Sequence, residues 1–211
     1  MKFTNKYQPQ SINECILPNR IKDRLNKLIQ RKDLGHCYFF GNSGIGKTST
    51  AQILINQLAP ENHIKLNATQ DQDVHFIEDN VIKAIASVPV QGIQKQIILI
   101  DECDGLSDDA QKLLRIAMEQ MDKHTSMILI GSQRQSIQEQ IFSRCYTFDF
   151  NVRETEEADL KLQIQSTTKK MCEIEEIDLT DELYNQIITE NFPDIRKIYN
   201  EIELEFLPTM N

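Results

Sequence analysis

The stretch Gly41-Asn42-Ser43-Gly44-Ile45-Gly46-Lys47-Thr48-Ser49 constrains this chain more than any other. It stands between the apolar run Cys37-Tyr38-Phe39-Phe40 and a helical pattern over residues 48–58, so the local order is strand, glycine-rich turn, helix. The turn fits G-x-x-x-x-G-K-S/T. Its glycines let the backbone bend tightly with N–H groups pointing inward, and the helix that follows contributes the positive end of its dipole. Both favour a bound phosphate. In such a loop Lys47 neutralises β- and γ-phosphates and Thr48 holds Mg²⁺. A glycine-rich turn that merely opens a helix is the plainer alternative, and the second motif described below decides against it.

The rest of the chain reads as strands alternating with helices. Residues 5–18 form an extended arm in which Pro9 and Pro18 forbid a continuous helix. Asn19 is the expected N-cap of a helix with Ile21, Leu25, Leu28 and Ile29 on one face. Strands are expected over 36–40, 64–66, 96–100, 126–131 and 146–150. Ile97-Ile98-Leu99-Ile100 is apolar throughout, as suits a strand buried on both faces. A helix is expected over 73–87, and another after Ser107, with Asp108 and Asp109 in its first turn. The pattern predicts an α/β domain, a five-stranded parallel sheet with helices on both faces. Helices at about 155–172, 180–190 and 194–205 follow as a small helical domain.

Charge marks the same division. The net charge is −9, but residues 151–211 hold 15 acidic and 6 basic residues, while residues 1–150 hold 17 of each. We therefore divide the chain at residues 150 and 151, and an acidic second domain argues against nucleic acid lying on it. No apolar run approaches the length of a membrane span, and Met1-Lys2-Phe3-Thr4 opens no signal-peptide core, so a cytoplasmic protein with no membrane partner is expected. Five scattered cysteines without a C-x-x-C pair suit reduced thiols.

The second motif is Ile97-Ile98-Leu99-Ile100-Asp101-Glu102, a hydrophobic strand ending in two carboxylates. The carboxyl edge of a parallel sheet is where such folds bind ligands. Successive strand-end residues point in different directions, so Asp101 can reach the Mg²⁺ shell while Glu102 faces a water attacking the γ-phosphate. Standing alone the pair would read as a helix cap; downstream of a phosphate loop it reads as hydrolytic.

Asp101-Glu102-Cys103-Asp104 resembles the D-E-x-D box of AAA+ clamp loaders, and Ser143-Arg144-Cys145 the S-R-C motif of their small subunits. Asn5-Lys6-Tyr7-Gln8-Pro9 resembles their K-Y-R-P arm, and Leu66-Asn67-Ala68-Thr69 their N-A-S-D turn. Ser11-Ile12-Asn13-Glu14-Cys15-Ile16-Leu17-Pro18 and Asn191-Phe192-Pro193-Asp194-Ile195-Arg196-Lys197 look most like the clamp-loader ATPase subunits of T-even bacteriophages. The resemblance runs from residue 5 to about 205. It implies a P-loop AAA+ module followed by a helical lid, binding ATP and Mg²⁺. The implied activity is hydrolysis of ATP to open a sliding clamp and load it onto primer–template DNA, in a hetero-oligomeric ring, a pentamer by family habit. The setting would be the bacterial cytoplasm of a phage host.

The resemblance further implies roles at matching positions. Arg144 would be an arginine finger acting on a neighbouring subunit's ATP; the guanidinium suits this because it stays charged and bridges two oxygens. Arg196 would reach ATP from the lid, and Ser132 stands where the family has its polar sensor at the end of the fourth strand. Tyr7, Ile12 and Ile16 would line the adenine pocket, or equally anchor the arm to the core. Relatives carry a further collar domain after the lid, and none is expected within 211 residues. Lys83, Lys112 and Arg115 are candidates for DNA phosphates, or ordinary solvated charges. Val88, Val90 and Ile93 are candidates for clamp docking. A different AAA+ assembly, such as a helicase loader or remodeller, and a nucleotide-binding structural subunit are the competing readings; the S-R-C motif argues against the first, intact Asp101, Glu102 and Arg144 against the second.

Overall fold

Five strands, β1 (His36–Phe40), β2 (His63–Asn67), β3 (Gln96–Asp101), β4 (Thr125–Gly131) and β5 (Tyr146–Asp149), lie in the order β2-β3-β4-β1-β5. Every neighbouring pair is parallel. The computed structural model describes residues 2–69, 73–86, 95–121 and 123–206. The middle strands are apolar on both sides because both faces are covered: all of β4, and β3 up to Ile100, is buried.

On one face, α2 (Asn19–Arg31) and α3 (Lys47–Leu58) pack Ile21, Leu25, Ile53 and Leu54 against Phe39, Ile97, Leu99 and Ile128. On the other, Phe76, Ile77, Leu114 and Ala117 meet Ile98, Ile100, Met127 and Leu129. That second layer is built from α4 (Val74–Ile77), α5 (Lys83–Ala86), α6 (Asp108–Gln120) and the single turn α7 (Glu139–Phe142). A short α1 (Phe3–Lys6) at the chain start packs instead against the C-terminal helices. After β5, the helices α8 (Glu157–Glu175), α9 (Asp181–Asn191) and α10 (Ile195–Phe206) enclose a separate core of Ile164, Met171, Tyr184, Ile188, Ile198 and Ile202.

Four local expectations change. Asn19 is the first helical residue of α2 and does not cap it; Pro18 takes the cap position, where its fixed φ is already suitable, and Asn19 Nδ2 instead donates to Asp159 Oδ2 at 3.3 Å. The arm is not wholly extended, since residues 3–6 make one helical turn before Pro9. The helix after Asp73 is interrupted: α4 passes into a π-helical stretch, Glu78–Ile82, before α5. Finally, Tyr7 and Ile16 pack against the core of the C-terminal helices while Ile12, Cys15 and Leu17 are buried in the sheet core, so the arm has a footing in both cores. Val88, Val90 and Ile93, the expected docking residues, lie outside the described residues.

Ser107 does cap α6, its Oγ accepting from Ala110 N at 3.2 Å. Replacing it by alanine should destabilise the chain by about 1 kcal/mol. Denaturant unfolding of Ser107→Ala tests this, and an unchanged midpoint would show that the cap contributes nothing.

Candidate active site

The phosphate loop follows β1 because its backbone can take conformations that side chains resist. Gly44 has φ 74° and Gly46 φ 88°, the latter just before the first residue of α3. Ile45 is 4 % exposed and pins the loop to the sheet core beneath it. With Ile45 inward, Gly41, Ser43, Gly44, Gly46, Lys47, Thr48 and Ser49 line an open cleft of roughly 1300 Å³. That is ample for a nucleotide, as small-molecule sites commonly run to about 300–1,000 Å³. Asn42 is exposed at the loop's outer edge and does not line the cleft.

Lys47 Nζ donates to Gly41 O at 2.7 Å and to Asn42 O at 2.6 Å, so the ammonium closes its own loop. Burial lowers its pKa below the ordinary lysine value; Arg196 adds to this, while Asp101 and Asp104 oppose it. A desolvated cation held by two carbonyls exchanges them readily for phosphate oxygens, which form stronger charge-assisted bonds.

The two motifs meet across the cleft. Thr48 Oγ1 donates to Asp101 Oδ2 at 2.9 Å, and Asp101 Oδ1 accepts from Glu102 N at 2.9 Å. An octahedral Mg²⁺ with oxygens at about 2.1 Å holds adjacent ligands about 3 Å apart, so this hydroxyl–carboxylate pair fits a shared magnesium shell. Glu102 has φ 55°, an uncommon conformation for a side chain other than glycine, and costs of order 1 kcal/mol. The left-handed turn leaves Glu102 exposed and lining the cleft. Such strain at a strand end recurs where a side chain must be aimed at chemistry.

Asp104, the last carboxylate of the D-E-x-D box, has no role that its position in the sequence alone reveals. The structure puts it in the cleft, where Oδ1 accepts from Ser132 N at 3.0 Å. Ser132 follows β4, lines the cleft, and also accepts from Gly41 N through its carbonyl at 3.2 Å. Arg196, in the first turn of α10, lines the cleft from the side of the C-terminal helices. Tyr7 and Ile16 line it too; the Tyr7 hydroxyl donates to Glu175, which also pairs with Lys6 Nζ at 2.5 Å. Ile12 is the exception. It is 1 % exposed within the sheet core and absent from the lining, so of its two readings the anchoring one fits. A β-sheet-facing position in the arm cannot be told from a pocket-facing one by residue type alone.

Arg144 lies outside the cleft. Its guanidinium is held on the outer surface by Glu119 Oε1 and Gln140 O, each at 2.5 Å, and Glu119 also takes Arg115 at 2.8 Å. Lys83 and Lys112 are likewise paired with carboxylates one turn before them, Asp79 at 2.6 Å and Asp109 at 2.8 Å. Exposed pairs of this kind are weak and exchange readily for phosphate.

The family model described as "ATPase family associated with various cellular activities (AAA)" matches residues 37–153. The replication factor C small subunit of Natronomonas pharaonis is 32 % identical over 95 % of this chain and 61 % of its own length. That of Archaeoglobus fulgidus is 30 % identical over 95 % of this chain and 62 % of its own. The chain thus spans about three fifths of the curated relatives it matches. Among solved structures, two RuvB variants of Thermotoga maritima superpose with TM-scores of 0.74 and 0.71 over 93 % of this chain and 64 % of theirs. Their identities, 15 % and 16 %, speak for the fold alone.

Proposed function

This chain belongs to the AAA family of ATPases, and on that premise we propose that it is an ATP-hydrolysing subunit of a sliding-clamp loader. The observation that carries the reading is the split between what converges on the cleft and what does not. Lys47, Thr48, Asp101, Glu102, Ser132 and Arg196 line one cleft, while the single arginine of the S-R-C motif points elsewhere. A site complete except for an outward-facing arginine is what an enzyme shared between subunits requires.

In this reading Lys47 and the loop N–H groups hold the β- and γ-phosphates, and Thr48 with Asp101 holds Mg²⁺, which supplies charge neutralisation on the transferred phosphoryl group. Glu102 orients the attacking water and takes its proton. Ser132, steadied by Asp104, faces the γ-phosphate, and Arg196 reports its presence to the lid. Tyr7 and Ile16 face the base. Arg144 completes the neighbouring subunit's site, so that ATP favours a closed ring and hydrolysis loosens it.

The partners are other loader subunits in a ring, a sliding clamp, and primer–template DNA. Two relatives named replication factor C small subunit support that choice over other AAA assemblies. A pentamer remains the family expectation. The phage affiliation rests on the segments around Ile12 and Pro193, the relatives above being archaeal, and with it the setting in an infected cell's cytoplasm. Among the described residues no helix is long and apolar enough to cross a membrane.

Titration with a fluorescent ATP analogue tests the nucleotide site. Lys47→Ala should weaken binding about 10- to 100-fold, the loss expected for hydrogen bonds to a charged group. Equal affinity in wild type and variant would remove Lys47 from the site.

A further inference from the structure

Two residues to which no role has been given touch the phosphate loop from beyond β5. Asn151, at the crossing from β5 into the lid, accepts a hydrogen bond through Oδ1 from Asn42 N at 3.1 Å. Its own position is fixed on several sides. Its backbone N and Nδ2 donate to Asp149 Oδ1 at 3.0 and 2.9 Å, and its carbonyl accepts from Arg20 Nη2 at 2.8 Å. Arg20 in turn reaches Asp149 O at 2.6 Å and Glu156 Oε1 at 2.7 Å.

The second contact is at the start of α10. Asp194 caps that helix, Oδ1 accepting from Lys197 N at 3.0 Å. The same carboxylate lies flat against the loop: a methyl group on Gly44 would stand 1.8 Å from Asp194 Oδ1. Beside it, Ile195 N donates to Gly44 O at 3.1 Å. Arg196 is the next residue along.

We infer that Asn151 and Asp194 are positioning residues that make the shape of the phosphate loop and the orientation of the lid a single coupled variable. The inference rests on reading the loop as a nucleotide site. The loop is held from outside at Asn42 and Gly44, the first through the lid's entry and the second through its last helix. Lys47 meanwhile occupies the carbonyls of Gly41 and Asn42 from inside. A triphosphate that draws Lys47 off those carbonyls and turns loop N–H groups inward acts on the same short backbone segment that carries both lid contacts. The lid then follows the loop directly, and Arg196 is aimed by Asp194 and Ile195 as well as by its own attraction to phosphate.

The test uses the full chain with Asn151→Ala, Asp194→Ala and Asp194→Asn. Affinity for a non-hydrolysable ATP analogue with Mg²⁺ is measured, and amide hydrogen exchange over residues 195–200 is followed with and without saturating analogue. In the wild type, the analogue should change exchange at those amides. Asn151→Ala and Asp194→Ala should each weaken binding about 3- to 10-fold, as losing one hydrogen bond would. At saturation both should lose the exchange change. Asp194→Asn, which keeps the capping oxygen, should behave as wild type. If Asn151→Ala does not fold, the two Asp194 variants decide the matter alone. Variants that melt earlier but keep wild-type affinity and the full exchange change would overturn the inference, leaving both residues as packing. Failure of the wild type to bind the analogue would overturn the reading of the loop and this coupling with it.

Discussion

Glu102→Gln is expected to bind ATP as the wild type does and to lose about 10²–10⁴-fold in hydrolysis, the range contributed by a positioned general base. The amide keeps the shape and the left-handed backbone turn but cannot take a proton. Binding should survive because the groups that face the phosphates, Lys47 and the loop amides, are untouched, and because Asp101 is braced by Thr48 rather than by the Glu102 side chain. The backbone N–H of residue 102, which does reach Asp101, is present in either residue. Single-turnover hydrolysis in the assembled complex is the measurement; near-normal turnover would mean that another group activates the water.

Arg144→Ala should leave the isolated chain's ATP affinity unchanged and lower the ATPase rate of the assembly by about 10³ or more, as loss of an arginine finger does elsewhere. The geometry separates the two effects. Arg144 is held on the outer surface by Glu119 and Gln140, away from its own cleft, so its removal touches no atom of the nucleotide site in the same chain. Reaching a neighbour's phosphate requires it to leave Glu119, which retains Arg115 and is therefore not stranded. Because the departing pair is exposed, release costs little. Weakened binding in the isolated chain would make Arg144 a residue of its own site and sink the assignment in trans.

What could be read from the sequence was local or periodic. The phosphate loop is contiguous, and its flanking strand and helix each announce themselves in a few residues. The β3 strand ends in its carboxylates, so both the strand and its chemistry sit in one short run. Ser107 with Asp108 and Asp109 is a helix start written in neighbouring residues, and it forms as expected. What could not be read depends on contacts between distant residues. Asn42 meets Asn151 because β1 and β5 are neighbouring strands, and Gly44 meets Asp194 because α10 starts beside the loop; no spacing in the chain encodes either. Asp104 closes the carboxylate box after β3, but its bond to Ser132 needs β3 and β4 to be adjacent strands. Ile12 and Ile16 are the same residue type four positions apart in an irregular arm, and only the fold sends one into the core and the other to the cleft. Asn19 failed as a cap because composition favoured it over a proline whose ring already supplies the needed backbone angle.

As proposed, this chain hydrolyses ATP in the service of placing a clamp on DNA. The most direct test is ATP turnover by the chain in complex with its partner subunits, measured with and without the cognate sliding clamp and primer–template DNA, alongside the retention of clamp on DNA with blocked ends. The account predicts that turnover rises only when clamp and primed DNA are both present, and that each burst of hydrolysis leaves clamp on the DNA. Turnover indifferent to both, with no clamp retained, would contradict it.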